Sequence, residues 1–435
     1  MINQVVEKIL CTGCGVCAAM CPTKAINMKI NERKGIYVPT INEKKCNGCN
    51  SCLKVCPGEE VDFKKLNLEI YNKEPENCIV GNYVNCYISH SNDYNIRYNS
   101  SSGGLITQTL IFALEEGIID GALVTRMKEN SPLEPESFVA KTKEEIIEAS
   151  KSKYCPVSIN TALREIIESN KDMKFAVVGL PCHIQGIRKA ELISKKLENK
   201  IVLHLGIFCN HTPNFWATKT FLQRHKIKEK DILKLNYRGE GWPGSMRVFQ
   251  KNHIEHQIPS SNNWSFIGAY FFYPERCFKC VDGVCEFADI SYGDAWLQEL
   301  SGDKIGESII ISKNETGEKL INSMKAKNMV EVKTVTSKEV IRSQLRMLYL
   351  KKELNANNKL YKFFPTYNIE KNSIKYDYFD YLLNLFFHIN SCISSRPILR
   401  NILCYVPTKV ISTYFMPSNI LISRNMEIFF KQIKR

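Results

Sequence analysis

Residues 11–57 contain Cys11-Thr12-Gly13-Cys14-Gly15-Val16-Cys17-Ala18-Ala19-Met20-Cys21-Pro22 and, after an insert, Cys46-Asn47-Gly48-Cys49-Asn50-Ser51-Cys52-Leu53-Lys54-Val55-Cys56-Pro57. The pattern Cys-x-x-Cys-x-x-Cys-x-x-x-Cys-Pro is written twice. Two-residue gaps wrap the backbone around one face of a cube, and its amides then reach the sulfurs. Gly13, Gly15 and Gly48 suit the tight turns this requires. Pro22 and Pro57 end each run, because proline cannot continue a helix. Zinc takes four ligands, usually as two separated pairs, so four evenly spaced cysteines in each run fit it poorly. A disulfide framework does not suit a chain with no export signal. The runs therefore point to two 4Fe-4S clusters.

This stretch, about the first sixty residues, resembles the bacterial two-cluster ferredoxins. In that pattern the fourth cysteine of each run serves the other cluster. Carried over, Cys11, Cys14, Cys17 and Cys56 hold one cluster, and Cys46, Cys49, Cys52 and Cys21 its neighbour. The insert between the runs, residues 22–45, is longer than the pattern requires and reads as a hairpin around Gly35-Ile36-Tyr37-Val38.

The chain has 435 residues, enough for two or three domains and one sizeable core beyond a small cluster module. Its formal net charge is +14, and its lysines are scattered through polar loops without a nucleic-acid recognition motif. A solvated surface explains them, with basic pockets for phosphates or acidic protein partners such as a ferredoxin. The start, Met1-Ile2-Asn3-Gln4, is no secretion leader, and no run approaches the ~18 apolar residues of a spanning helix. The expected compartment is the cytoplasm, where eighteen cysteines stay reduced.

Beyond residue 60 a polar stretch reads as a linker. Ser100-Ser101-Ser102-Gly103-Gly104 precedes a helix over Leu105–Glu116, followed by a strand-like run from Ile118 to Arg126. Serines can cap that helix, and the glycines let backbone amides approach an anion; an ordinary capped helix is the plainer alternative. Residues 127–150 read as a charged loop. Lys174–Leu180 and Ile201–Phe208 read as buried strands, each followed by a cysteine, Cys182 and Cys209. Strand and helix alternate, which argues an α/β domain with a largely parallel sheet, and such sheets place ligands beyond strand ends. Cys277-x-x-Cys280 repeats the two-residue gap of the N-terminal runs. Four cysteines, 182, 209, 277 and 280, suffice for a third cluster; structural thiols or zinc are the competing readings. The tail, residues 375–435, is aromatic, helical and basic.

Residues 85–300 resemble the beta subunit of coenzyme F420 hydrogenases and dehydrogenases, a family that also includes plant 7-hydroxymethyl chlorophyll reductase. The resemblance rests on Ser102-Gly103-Gly104 with Thr107, Ser152-Lys153-Tyr154, Gly179-Leu180-Pro181-Cys182 and Gly206-Ile207-Phe208-Cys209. It extends through Arg238–Gly244 and Cys277–Trp296, where Asp282, Glu286 and Ala288-Asp289-Ile290-Ser291 fall in register. It implies one FAD and one 4Fe-4S cluster in this part of the chain. Ser102, Gly103, Gly104 and Thr107 would hold the flavin near its phosphates, and Lys153 and Tyr154 would sit near flavin or substrate. Cys182, Cys209, Cys277 and Cys280 would bind the cluster, leaving Cys285 out.

The expected architecture is an α+β ferredoxin domain (1–62), then an α/β flavin-binding domain with a largely parallel sheet (80–165 and 166–360), then a helical basic tail (361–435). The expected function is that of an iron–sulfur flavoprotein oxidoreductase. Electrons pass from a ferredoxin-type, low-potential donor through the clusters to FAD and a small organic substrate. Clusters carry one electron and a hydride carrier needs two, so a flavin stands between them. The alternatives are a non-catalytic electron-relay subunit of a larger complex and a deazaflavin (F420) reductase or dehydrogenase. No nucleic acid is expected as a partner, and a homo-oligomer is allowed. His183 and His204 read as packed core histidines, and no catalytic acid or base stands out.

Overall fold

The computed structural model describes residues 1–259, 266, 268–357 and 378–433. Residues 260–265, the first part of the expected tail, and Lys434 and Arg435 lie outside them. The two cysteine runs fold around short helices, Val16–Ala19 and Ser51–Lys54, one in each run. Between them β1 (Ile26–Asn31) and β2 (Ile36–Ile41) pair antiparallel, so the insert is the expected hairpin. Its turn needs Gly35 twice over: φ is +62°, and a Cβ there would lie 2.5 Å from the Trp216 ring.

The remaining strands are β3 (Asn85–Ser91), β4 (Gly121–Met127), β5 (Pro135–Ala140), β6 (Phe175–Gly179), β7 (Ile201–Ile207), β8 (Ile232–Asn236), β9 (Ser245–Gln250), β10 (Glu255–Pro259), β11 (Ile290–Asp294), β12 (Ser308–Ser312) and β13 (Val330–Val335). Eight form one sheet in the order β13-β3-β12-β11-β7-β6-β4-β5. Its centre, β11-β7-β6-β4, is parallel; the flanking pairings are antiparallel. Strands β8, β9 and β10 form a separate antiparallel sheet.

Both faces of the large sheet are covered, as its apolar strands require. Ala176 and Val178 of β6 face a core that includes Leu110, Ile111 and Phe112 from helix Leu105–Glu115. Phe175 and Val177, on the opposite face, pack with Ile184 and Ile187 from helix Pro181–Ile193. That second core also takes in Val16, Ala19 and Val55 of the cysteine runs, so the N-terminal module shares its apolar interior with the sheet. Arg164 fixes the junction, its Nη2 donating to the carbonyls of Ala18, Ala19 and Cys21 at 2.9, 2.6 and 2.7 Å.

Two stretches differ from expectation. The supposed linker contains helix Phe63–Tyr71, capped by the Asp62 carboxylate and buried through Phe63, Leu66 and Asn67. The supposed loop 127–150 contains β5 and helix Lys143–Glu148, whose Thr142 and Glu145 form a reciprocal cap. The tail helices Tyr378–Ser395, Pro397–Tyr405 and Thr408–Ile433 pack on the domain through Leu383, Phe387, Leu403, Phe415 and Phe429. No helix among the described residues is long and apolar enough to cross a membrane.

Candidate functional site

Cys11, Cys14 and Cys17 lie on the turn and first helix of run one; Cys56 follows the helix of run two. Gly13 and Gly15 adopt φ of 72° and 86°, and the Gly13 amide donates to the Cys11 sulfur at 3.4 Å. Burial pushes the Cys11 thiol up to about 12, and Cys56 and Cys14 add to the rise. Burial likewise pushes Cys56 up to about 11, with Cys14 adding to it. Cys17 is raised by burial, then by Cys14, Cys11, Cys56 and Cys52. The four thiols that the crossed pattern groups together are thus neighbours, with Cys52 of the other set also close to Cys17. Cys21, Cys46, Cys49 and Cys52 line a second small hollow beneath Met1, Ile26 and Ile41. The crossed assignment places Cys21 with the other run, and this hollow does the same.

The third set converges from four places. Cys182 sits in the first turn of helix Pro181–Ile193, beyond the end of β6. Cys209 follows β7, its amide donating to Gly283 O at 2.8 Å. Cys277 lies in the 3-10 turn Glu275–Lys279, and Cys280 directly follows it. Burial raises the Cys182 thiol well above its ordinary value, and Cys14, Cys209, Cys280 and Cys277 raise it further. Cys182 therefore adjoins both the first N-terminal set and the other three thiols of its own. Cys285 points elsewhere, packed where a Cβ on Gly206 would meet its sulfur at 2.6 Å. Among the described residues no three His, Cys, Asp or Glu side chains are close enough together to hold a single metal ion.

Beside this third set opens a cavity of about 1010 Å³, at the upper end of the range for cofactor sites. The C-terminal ends of β4, β6, β7 and β11 line it, with Ser100–Ser102, Gly104, Lys151–Tyr154 and Cys209. Gly104, at φ +77°, begins helix Leu105–Glu115 without a side-chain cap, so first-turn amides lie open at the cavity wall. Gly103 and Thr107 do not line it. Gly103 is wedged in the wall, where a Cβ would lie 2.6 Å from Ser89 O, and Thr107 is buried within the helix. Lys153 lines it, but its Nζ turns back to the carbonyls of Ala149, Ser150 and Lys151 at 2.5, 2.7 and 3.0 Å. Burial draws the Lys153 ammonium down to about 7.

Sequence reading named Arg238 only as the start of a matching segment and gave it no role. It lines the cavity at 4% exposure. Its Nη1 meets Asp294 Oδ2 at 2.8 Å and the Tyr154 hydroxyl at 3.2 Å, and its Nε donates to Pro243 O at 2.9 Å. Nη2, sealed from solvent, has no partner among the described residues. The signal was its setting, since Gly239, Gly241 and Gly244 all take positive φ around this one guanidinium. His211, also on the wall, has two ring nitrogens with no partner among the described residues. His183 Nδ1 accepts from the Leu180 amide at 3.2 Å, and burial draws its imidazole down to about 4, which suits a neutral structural ring.

The chain matches the family models for the coenzyme F420 hydrogenase/dehydrogenase beta subunit N-terminal part over residues 86–164 and C terminus over residues 172–338. A 4Fe-4S dicluster domain model matches residues 10–59. The chain is 26% identical over 305 residues to the coenzyme F420 hydrogenase subunit beta of Methanosarcina barkeri, covering 68% of this chain and 97% of that one. It is 28% identical over 382 residues to the coenzyme F420-dependent sulfite reductase of Methanocaldococcus jannaschii, covering 84% of this chain and 54% of that protein. A chain of the F420-reducing [NiFe] hydrogenase complex from Methanosarcina barkeri superposes with TM-score 0.50 at 26% identity, covering 64% of this chain and 90% of that chain. With dicluster, N-terminal and C-terminal matches in order along one chain, the protein belongs to the coenzyme F420 hydrogenase/dehydrogenase beta-subunit family and carries a 4Fe-4S dicluster domain at its N-terminal end.

Proposed function

We propose that the chain is an iron–sulfur flavoprotein oxidoreductase that takes electrons from a low-potential, ferredoxin-type donor and delivers them to a small organic substrate at the cavity. The proposed ligand sets are Cys11, Cys14, Cys17 and Cys56; Cys21, Cys46, Cys49 and Cys52; and Cys182, Cys209, Cys277 and Cys280. The observation that carries the reading is the position of Cys182, whose thiol feels Cys14 on one side and Cys209, Cys277 and Cys280 on the other. It supports a path from the N-terminal module to the cavity wall.

FAD fits the cavity in volume and in donors. Ser102, Gly104 and the open amides of helix Leu105–Glu115 would receive phosphate oxygens, while Arg238 and Tyr154 would meet other polar atoms of the ligand. FAD, when bound, exchanges electrons singly or in pairs and so matches clusters to a two-electron substrate. The chain's own residues shape, dry and charge the site. The relatives' printed names favour a second reading, in which the substrate is coenzyme F420 itself. A relay subunit bound to a protein partner is the third.

Anaerobic reconstitution of the full chain tests these together. The proposal expects about twelve irons and one FAD per chain, with turnover from reduced ferredoxin to an acceptor. Turnover only with F420 selects the second reading, and inertness until a partner is added selects the third. Colourless protein with neither iron nor flavin overturns all of them. Arg238→Met is expected to weaken FAD retention about 10–100-fold, the value of one charge-assisted hydrogen bond. Adding Asp294→Asn removes the carboxylate left unpaired and is expected to recover thermal stability without recovering flavin, read by absorbance after gel filtration.

A further inference from the structure

The family-model match ends at residue 338, and the chain beyond it returns to the cavity wall. Arg346 and Met347 reach the wall from helix Leu345–Leu348, and Ser412, Phe415 and Asn419 reach it from helix Thr408–Ile433. The tail therefore builds part of the cavity as well as packing on the domain. Phe415 is closely seated, since a Cβ on Gly268 would lie 2.9 Å from its ring. Arg346 Nη1 donates to Asn419 Oδ1 at 2.8 Å, and the guanidinium carbon lies over the Phe415 ring, 5.4 Å from its centroid. Two tail side chains thus hold Arg346 in place. Its Nη2 is sealed from solvent and has no partner among the described residues.

The charges on the wall do not balance. Among the described residues it carries Lys151, Lys153, Arg238 and Arg346 against one carboxylate, Asp294. Arg238 takes that carboxylate at 2.8 Å, and three carbonyls take the Lys153 ammonium. Arg346 has a neutral amide oxygen instead. A buried charged donor without an acceptor is costly, and a carboxylate or phosphate is the acceptor that best suits a guanidinium. We propose that Arg346 recognises an anionic group, carboxylate or phosphate, on the substrate, and that the C-terminal helix positions it there through Asn419 and Phe415. The inference rests on the reading of this cavity as the site of FAD and a small organic substrate, and it narrows that substrate to an anion. Ser102, Gly104 and the amides of helix Leu105–Glu115 would serve the flavin phosphates, which leaves Arg346 for the second molecule. His211 offers that molecule further hydrogen bonding from the same wall, where both its ring nitrogens lack a partner among the described residues.

The test is isothermal titration calorimetry on the anaerobically reconstituted full chain, with sodium malonate, inorganic phosphate and neutral malonamide as separate probes. Malonate, phosphate or both are expected to bind the wild type, and malonamide is not; which anion binds tells a carboxylate from a phosphate. Arg346→Met keeps most of the side chain's length and loses its charge. It is expected to weaken anion binding about 10–100-fold, the loss of one charge-assisted hydrogen bond, with flavin content unchanged. Arg346→Lys, which keeps the charge without the planar fork, should lose less. Asn419→Asp sets a carboxylate against the guanidinium. It is expected to weaken anion binding about tenfold or more without lowering the melting temperature, an outcome that a merely structural Asn419 would not give. Wild type that binds neither anion overturns the inference, as does an Arg346→Met chain that binds them like wild type. So does an Arg346→Met chain that melts normally but has lost its flavin, since Arg346 would then hold the cofactor. Unchanged anion binding in Asn419→Asp overturns it as well, so the decision does not depend on Arg346→Met folding. Wild type that takes up no flavin sinks the cofactor reading instead, and the calorimetric comparison still decides the anion site on that protein.

Discussion

Cys182→Ala is expected, on the proposed ligand set and donor, to reduce the iron content of the reconstituted chain from about twelve to about eight and to slow reduction of the proposed flavin by reduced ferredoxin at least ~100-fold. The magnitude follows from coordination chemistry. Losing even an outer partner of a metal ligand typically costs 10–100-fold in affinity or activity, and a ligand itself costs more. The place matters as much as the bond. Cys182 is the thiol of its set that also senses Cys14, so its loss opens the path where the N-terminal module meets the cavity. Cys285→Ala is the matched control, a buried cysteine at 1% exposure in the same motif, turned toward Gly206. It is expected to keep about twelve irons. Iron assay and stopped-flow flavin absorbance read both variants. A Cys182 variant that retains a full complement and wild-type rates would remove Cys182 from the ligand set.

The parts of this site that are local in sequence were legible, and the parts made by tertiary approach were not. Each N-terminal run places its cysteines within one turn and one short helix, so spacing carried the two-cluster reading, while the crossed grouping came from the ferredoxin resemblance. Cys182 and Cys209 were legible at one remove, because each directly follows an apolar strand. The role of Arg238 was hidden. A buried arginine is identical in sequence to a surface one, and only the fold brings Arg238 to Asp294. Lys153 was expected near flavin or substrate; it lines the cavity, with three carbonyls folded onto its ammonium. Helix Lys143–Glu148 was available and overlooked: Thr142-Lys143-Glu144-Glu145 is a capping box, masked by the charge density around it.

His204→Leu is expected to destabilise the folded chain by about 3–5 kcal/mol, the usual result of breaking a buried ionic network from one side. His204 is 2% exposed on β7. Its Nε2 meets Glu191 Oε1 at 2.7 Å and its Nδ1 meets Asp289 Oδ2 at 3.1 Å, so a ring donating to both carboxylates must be the imidazolium. Arg188 bridges the same two carboxylates, at 3.3 Å to Glu191 and 3.1 Å to Asp289. Burial and Arg188 press the imidazole toward neutrality, but the carboxylates win and raise it above its ordinary value. Burial would raise both acids, yet His204 and Arg188 hold Glu191 and Asp289 below theirs. The signs fix the pH window. The carboxylates stabilise the fold above their unfolded values, ~3.9–4.3, and lose that contribution as pH falls through their lower folded values. The histidine contributes fully below ~6.5 and loses its share as pH rises through its higher folded value. The difference between wild type and variant should therefore be largest between about pH 4.5 and 6.5 and shrink in more alkaline buffer. Anaerobic thermal melts of both proteins across pH 5–8 measure it, and taking the difference cancels titrations the two share. A constant gap across that range would show His204 to be neutral at all of them, which two donated hydrogen bonds to carboxylates do not allow.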